Sequence, residues 1–296
     1  MHKALAILIL LCHTLAAQAA SSDAIKLTRD DELSSVVLKR TSAPKLKSSI
    51  ALIYDEQEQR PLYSKNADAL APIASISKLM TAMVVLDAQL PLDEKISISK
   101  QDMDTLKGTS SRMRFGMTLT RRELLKLALM ASENRAAAAL ARTYPGGTVA
   151  ALSKMNAKAR ELGMQNTRFL DPTGLNSGNV STALDLVKMV QAAQAYAPIR
   201  EFTTSSSHTV EPAGFRPLRY NNTNPLVKSA SWDIGVSKTG YISEAGRCLV
   251  MEATINQRPV IIVLLDSWGK RTRIGDANRI KKWMESALTT RVTRRG

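Results

Sequence analysis

Histidine and cysteine are nearly missing from this sequence. There are three histidines and two cysteines in 296 residues, and part of that small number sits at the N-terminus. Met1-His2-Lys3 precedes an almost wholly apolar run from Ala4 to Ala17, which leads into Ala17-Gln18-Ala19. A charged start, a short apolar middle and an Ala-x-Ala site describe a secretory signal peptide, cut near Ala19/Ala20. The run falls short of the about 20 apolar residues that a membrane-spanning helix needs. After that cut, Cys248 and His208 are the only residues of their kinds. An internal disulfide is then impossible. A histidine-based zinc site lacks its ligands, and a Ser-His-Asp triad would have to use His208 alone. No metal and no cofactor is implied.

Aromatic residues are also sparse, at 4%, against a net charge of +15. Without basic and aromatic residues interleaved, and with export expected, no nucleic acid partner is expected. A basic exported protein meets anionic surfaces and acidic polymers instead, and a carboxylate-bearing cell-wall polymer fits. A merely solvated basic face is the other reading of the same charge. Beyond the signal, no apolar stretch is long enough to span a membrane. The longest, Val260 to Leu265, is strand-sized. No stable membrane anchor is expected.

Residues 21–46 read as a polar lead, with Asp30-Asp31-Glu32 and Thr41-Ser42-Ala43-Pro44. Ser49 to Tyr54 reads as a strand and Arg60 to Ser64 as its hairpin return. The middle is mostly helical. Leu79 to Leu86 is a long apolar run with Pro72 just ahead of it. Further helices are predicted over Arg121–Met130, Arg135–Arg142, Thr148–Leu162, which Gly163 closes, and Thr182–Tyr196, with Ser181 or Thr182 as N-cap. Strands return at Ile234–Thr239, Cys248–Ile255 and Val260–Leu265, and an amphipathic helix spans Arg273 to Leu288. Strands first and last, with helices between, predict an α+β fold. Both chain ends build one antiparallel sheet, flanked by helices, with a helical domain inserted. The expected division is 47–90 plus 215–290 for the α/β part, 91–214 for the mostly helical part, and 291–296 as a basic tail.

Three short motifs carry chemistry. Four Ser-x-x-Lys pairs occur: Ser42/Lys45, Ser75/Lys78, Ser97/Lys100 and Ser267/Lys270. Only Ser75/Lys78 opens a long apolar helix, where residues three apart share a face. A serine hydroxyl needs a base beside it, and a lysine with a lowered pKa can be that base. Lys238-Thr239-Gly240 ends a predicted strand. A cation, a hydroxyl and a glycine in a row suit a carboxylate whose backbone approaches a strand edge, although an ordinary polar turn reads the same way. Ser-x-Asn occurs twice. Ser132-Glu133-Asn134 lies at a helix–helix junction, where it could equally be an ordinary N-cap. Ser177-Gly178-Asn179 has the composition of a loop.

Ser-x-x-Lys, Ser-x-Asn and Lys-Thr-Gly, in that order, are the motif set of penicillin-binding proteins and serine β-lactamases. The stretches Ala71–Leu86, Ser132–Ala139, Thr167–Leu175 and Lys238–Gly240 resemble the low-molecular-mass penicillin-binding proteins of the D-alanyl-D-alanine endopeptidase type. The resemblance runs from about Ser48 to Leu288. It implies a β-lactamase/transpeptidase-like fold and a periplasmic enzyme that cleaves peptide cross-links of peptidoglycan, with β-lactam antibiotics as covalent inhibitors. It also implies roles. Ser75 is the acyl-accepting nucleophile and Lys78 its base. Ser132 relays a proton to the leaving amine, and Asn134 holds the substrate amide and steadies Lys78. Lys238 and Thr239, with Gly240, bind the terminal carboxylate. The backbone N–H groups of Ser75 and Tyr241 form the oxyanion hole.

Other readings share these motifs. A D-alanyl-D-alanine carboxypeptidase differs only in its leaving amine. A β-lactamase needs a glutamate to activate a deacylating water, and the nearest candidate, Glu161, sits in the last turn of a solvated helix. A Cys248/His208 peptidase would use a cysteine in an alternating strand, where a small core residue is the plainer reading. A penicillin-binding or wall-binding module with a dead site would lack a required residue, and none is missing.

Overall fold

The computed structural model describes residues 42–292, with side chains to residue 286. The expected signal peptide, most of the polar lead and the last residues of the basic tail lie outside the described residues. The chain divides into two units, Lys45–Lys281, and Met1–Pro44 together with Lys282–Gly296. The first unit holds the whole sheet and every residue discussed below.

Eleven strands and seven helices follow one another along the described residues. The strands are β1 (Ile50–Asp55), β2 (Arg60–Lys65), β3 (Ala71–Pro72), β4 (Lys95–Ser97), β5 (Thr118–Thr120), β6 (Val180–Ser181), β7 (Ser207–Val210), β8 (Leu218–Asn221), β9 (Asp233–Ile242), β10 (Gly246–Ile255) and β11 (Arg258–Ser267). The helices are α1 (Lys78–Asp87), α2 (Arg121–Met130), α3 (Asn134–Arg142), α4 (Gly147–Glu161), α5 (Ala183–Gln194), α6 (Ala197–Thr204) and α7 (Thr272–Val292). The main sheet has the order β2-β1-β11-β10-β9 and is antiparallel throughout. As predicted, its strands come from both ends of the chain. Ile50 pairs with Leu265 and Asp55 with Val260, so the first strand of the sheet zips onto the last.

Burial explains the sequence of each element. Nearly every residue of β1 and β11 is buried, including both neighbours in runs such as Ile261-Ile262-Val263-Leu264. A strand covered on both faces reads as a continuous apolar run rather than an alternation. Helix α1 is likewise buried from Lys78 to Val85. A helix that is apolar all round must sit inside the protein, and this one carries Lys78 at its first turn. Helix α2 starts where Thr120 and Glu123 cap each other. The Thr120 hydroxyl accepts from the Glu123 N–H, and the Glu123 carboxylate accepts from the Thr120 N–H at 2.8 Å.

Helix α6, the β7–β8 hairpin and the short strands β3, β5 and β6 have no counterpart among the elements predicted from the sequence. Helix α6 directly follows α5, with Pro198 in its first turn. The hairpin of β7 and β8, residues 207–221, has strands of only four residues each, too short to show an alternation.

The chain enters β1 through a buried carboxylate. Asp276 on α7 accepts from the N–H groups of Lys47 (3.0 Å) and Ser48 (2.8 Å) and from the Ser48 hydroxyl (2.6 Å), and it pairs with Arg279. Burial pushes the Asp276 pKa up, but these donors outweigh it and hold the carboxyl below its usual range. Asp276→Ala strands three donors, and by the usual cost of a broken charged hydrogen bond it should lower stability by about 2–3 kcal/mol in urea unfolding. The sign with pH follows from the depressed pKa. The contribution is present above the unfolded carboxylate pKa and fades as pH falls through the folded one. The loss on mutation should therefore shrink in acid.

Candidate active site

Ser75 and Lys78 meet at the start of α1, though not within the α-helix itself. Ala74–Ser77 form a single 3-10 turn that runs straight into Lys78. In such a turn residues three apart eclipse, which brings the two side chains together. Ala74 just before the serine has φ +47°. That is left-handed backbone at a non-glycine residue, of a kind that persists only where surrounding structure enforces it.

Lys78 is 1% exposed and Ser75 9%. The Lys78 Nζ lies 2.8 Å from Ser75 Oγ, 2.8 Å from Asn134 Oδ1 and 2.6 Å from the Thr173 carbonyl oxygen. No carboxylate forms an ion pair with it among the described residues. Burial pushes its pKa down to about 7, against the opposing pull of Asp171, Glu133 and Asp104. A neutral amine has two N–H donors and one lone pair. Asn134 Oδ1 and the Thr173 carbonyl can only accept. In the charged form the amine donates to all three; in the neutral form its two N–H groups serve Asn134 and Thr173, and the lone pair is left for the Ser75 hydroxyl.

Ser132 sits between α2 and α3, also in left-handed backbone, at φ +60°. Asn134 begins α3, and its Nδ2 donates to Thr109 Oγ1 at 3.0 Å. That bond fixes which amide atom faces Lys78. From the other side, Lys238 on β9 is 1% exposed and its Nζ donates to Ser132 Oγ at 2.9 Å. Its pKa is pushed well down by burial first, then by Lys78 and Arg273. Thr239 Oγ1 is 2.7 Å from Thr223 Oγ1. Gly240 is there because β9 lies against the Ser75 turn. A Cβ at Gly240 would stand 2.9 Å from the Ile73 carbonyl oxygen and 3.0 Å from Ser75 N. All eight residues singled out in the sequence thus come from the Ser75 turn with α1, the Ser132 loop with α3, and β9. Seven of them gather around one cleft or donate into it, and Lys78 lies behind Ser75.

Sequence reasoning missed several residues. Asp171-Pro172-Thr173-Gly174 falls within the Thr167–Leu175 stretch that carries the resemblance, but its composition is that of a turn and gives it no role. It is a buried loop that supplies the Thr173 carbonyl to Lys78. Asp171 organises it, accepting from the N–H groups of Thr173, Gly174 and Asn176 and from the Thr173 hydroxyl. The second Ser-x-Asn belongs to the same loop. Asn179 is fully buried and accepts from Leu170 N and Asp171 N, while its Nδ2 donates to Ser77 Oγ at 3.0 Å. Arg273 on α7 lines the cleft beside Thr239, only 8% exposed, with Nε and Nη1 unpartnered. Nothing in the run Lys270-Arg271-Thr272-Arg273 marks which cation turns inward. Thr223 carried no signal at all.

The rival residues lie elsewhere. Cys248 is fully buried, its thiol donates to the Ala245 carbonyl, and burial pushes its pKa up to about 12, so it stays a thiol. His208 lies on the β7–β8 hairpin, outside the cleft lining. Glu161 is 58% exposed and pairs with Lys154. Among the described residues none lining the cleft is acidic; Asp104 and Asp171 line the adjoining hollow on the Asn134 side. The loop before α2 reaches over toward the β9–β10 turn, where Lys107 pairs with Glu244. Among the described residues no group of histidine, cysteine and acidic side chains is placed to hold a metal ion, and no helix is long and apolar enough to cross a membrane.

Comparison with known proteins agrees with this geometry. Residues 37–269 match the family described as D-alanyl-D-alanine carboxypeptidase, of the S11 peptidases. The chain is 48% identical over 251 residues to a D-alanyl-D-alanine endopeptidase of Pseudomonas aeruginosa, covering 83% of this chain and 80% of that one. It is 48% identical over 248 residues to the enzyme of the same description in Escherichia coli, covering 83% and 79%. Among solved structures, the Streptomyces K15 DD-transpeptidase superposes with a TM-score of 0.77 at 30% identity, over 83% of this chain and all of that one. The arrangement of Ser75, Lys78, Ser132, Asn134 and Lys238 on a mixed helix-and-sheet scaffold therefore has a family: the chain belongs to the D-alanyl-D-alanine carboxypeptidase family of S11 serine peptidases.

Proposed function

We propose that this protein is a D,D-endopeptidase that hydrolyses D-alanyl peptide cross-links of peptidoglycan through an acyl-enzyme on Ser75. The observation that carries this reading is the buried Lys78 amine, its Nζ 2.8 Å from Ser75 Oγ and with no carboxylate paired to it among the described residues. Lys78 takes the Ser75 proton as Oγ attacks the D-alanyl carbonyl carbon. The N–H groups of Ser75 and Tyr241 hold the resulting oxyanion, an effect worth about 3 kcal/mol of barrier per donor. As the tetrahedral adduct collapses, the C–N bond breaks. The leaving amine receives a proton through Ser132 Oγ, which Lys238 Nζ contacts at 2.9 Å. Water then attacks the Ser75 ester and the serine is released. Asn134 orients Lys78 and the substrate amide. The carboxylate next to the scissile bond is held by Lys238, Thr239 and Arg273, the last adding a buried guanidinium to the pair found in the sequence.

The endopeptidase assignment rests on the two 48%-identical relatives named as endopeptidases. The family description names a carboxypeptidase, so that activity is the second reading. Export to the periplasm rests on the N-terminal sequence pattern, and β-lactams are the expected covalent inhibitors because their ring carbonyl mimics the scissile amide. A solved relative, penicillin-binding protein D2 of Listeria monocytogenes, has been captured with cefotaxime bound.

Digestion of purified cross-linked peptidoglycan, with products resolved by mass, tests the assignment. Dimer muropeptides should fall to monomers, and Ser75→Ala should abolish this completely. Loss of terminal alanine alone would mean a carboxypeptidase. Binding of penicillin with neither product would mean a non-catalytic wall-binding protein. Rapid penicillin turnover without a stable adduct would mean a β-lactamase, despite the lack of an acidic residue in the cleft lining.

A further inference from the structure

The cleft contains one more cation than the proposed chemistry uses. Arg247 on β10 lines it together with Arg273, Thr239 and Tyr241. Its guanidinium carbon sits 4.4 Å from the centre of the Tyr241 ring. The two residues are direct cross-strand partners in the β9–β10 pairing. No ion pair or side-chain hydrogen bond engages the Arg247 guanidinium among the described residues. Close by, Arg273 is buried with two of its nitrogens unpartnered, and the Arg247 charge acts on it unfavourably. Arg247 and Arg273 thus line the same cleft with Lys238 beside it, while the acids near the site, Asp171, Glu133 and Asp104, act on Lys78 and are not among the residues lining the cleft. Like charges held together without a counter-ion are a standing cost unless an anion joins them.

The stacking geometry defines what Arg247 offers. A guanidinium lying on an aromatic ring uses its face, and its N–H edge stays free for a planar, bidentate acceptor. Residues 239 and 241 point to the same side of β9, and at ~3.3 Å per residue they are ~7 Å apart along it. Arg247 on Tyr241 is therefore placed about one residue length beyond Thr239.

The two possible leaving groups differ in that respect. Free D-alanine carries one carboxylate, which the Lys238, Thr239 and Arg273 site takes. A leaving stem peptide carries the carboxylate beside the released amine and a further one at its own C-terminus. We propose that Arg247, braced on Tyr241, is a second carboxylate subsite that holds a free carboxylate of the leaving stem peptide and so favours cross-links over terminal D-alanine. This rests on the endopeptidase reading above and names the feature that selects its substrate.

The test uses two soluble cross-linked dimers that differ only at the C-terminus of the leaving stem, one a free acid and the other its carboxamide. Each is titrated as a competitor of labelled-penicillin acylation, with wild type, Arg247→Gln and Arg247→Lys. Penicillin labelling reports an intact Ser75 site in each variant and does not require the dimer to be cut. The free acid should compete about tenfold better than the amide with wild type, as expected for one charge-assisted contact. Arg247→Gln should erase that difference, and Arg247→Lys should keep part of it. An equal acid-to-amide ratio in wild type, or an undiminished ratio in Arg247→Gln, would overturn the proposal. If the free-acid dimer competes but is never cleaved, the endopeptidase reading fails while the subsite stands.

Discussion

Lys78→Ala should slow acylation by penicillin ~10²–10⁴-fold, the range expected when a positioned general base is lost. The reason is the lack of any substitute. His208 lies outside the cleft lining, and Cys248 is buried in the sheet with its thiol pushed up to about 12. Lys238 is buried beside Ser132, with its Nζ directed to Ser132 Oγ rather than to Ser75. A structural role for Lys78 alone would also predict loss on mutation, so the wild-type pH profile is the sharper measurement. The base works only when neutral, and burial places its pKa at about 7. Acylation should therefore be slow in acid, rise through an inflection near pH 7, and level off above it. A profile that stayed flat from pH 5 to 9 would remove Lys78 from the base role. The same shift has a stability consequence of definite sign. Between about pH 7 and the ordinary lysine range the unfolded chain holds a proton that the folded chain does not. The cost of burying this amine is thus largest in acid and is relieved as pH rises.

The parts of this site legible in the sequence were those whose identity is fixed by local chemistry. Ser75/Lys78 stood out from three equivalent pairs because an all-apolar run followed it, and α1 is indeed buried on every side. The helix context was right in kind, although the serine itself lies in a 3-10 turn just before the helix. The sheet was legible because strands covered on both faces become unbroken apolar runs such as Val260 to Leu265. What stayed hidden depends on contacts between distant residues. Asp171 and Asn179 resemble any turn residues. Only the folded chain shows that they form a buried scaffold presenting the Thr173 carbonyl to Lys78. Arg273 is one of several cations near the start of α7, and only the folded chain shows that it is the one lining the cleft with residues of β9 and β10. Helix α6 and the β7–β8 hairpin stay hidden because they are short, eight residues and four in each strand, so the buried positions Ile199, Phe202 and Thr203 have little length in which to show a period.

Gly174→Ala should disable the enzyme as effectively as a change in the catalytic groups, although Gly174 contributes no side chain. Gly174 has φ +83°, and a Cβ there would lie 2.0 Å from the Ala74 carbonyl oxygen and 2.7 Å from Ser75 N. Two costs arise, and they can be separated. Left-handed backbone alone penalises alanine by about 1 kcal/mol. The clash is with backbone that cannot rotate away, so either the 171–179 loop or the Ser75 turn must shift. The loop is tied down by Asp171 and Asn179, and the turn is pinned by β9 at Gly240. A displacement of ~1 Å at a nucleophile is enough to cost ~10²-fold in rate. Acylation should fall by at least that factor, and stability by ~3 kcal/mol or more, as for other changes that overfill a packed site. Gly214→Ala supplies the control. Gly214 has φ +76° in the β7–β8 turn, with nothing within 4 Å of the added Cβ. It should show the backbone cost alone and leave penicillin acylation at the wild-type rate. If both alanine variants acylate equally fast, the contact between the 174 loop and the Ser75 turn does not position the nucleophile. The left-handed backbone at Ala74 would then need another support.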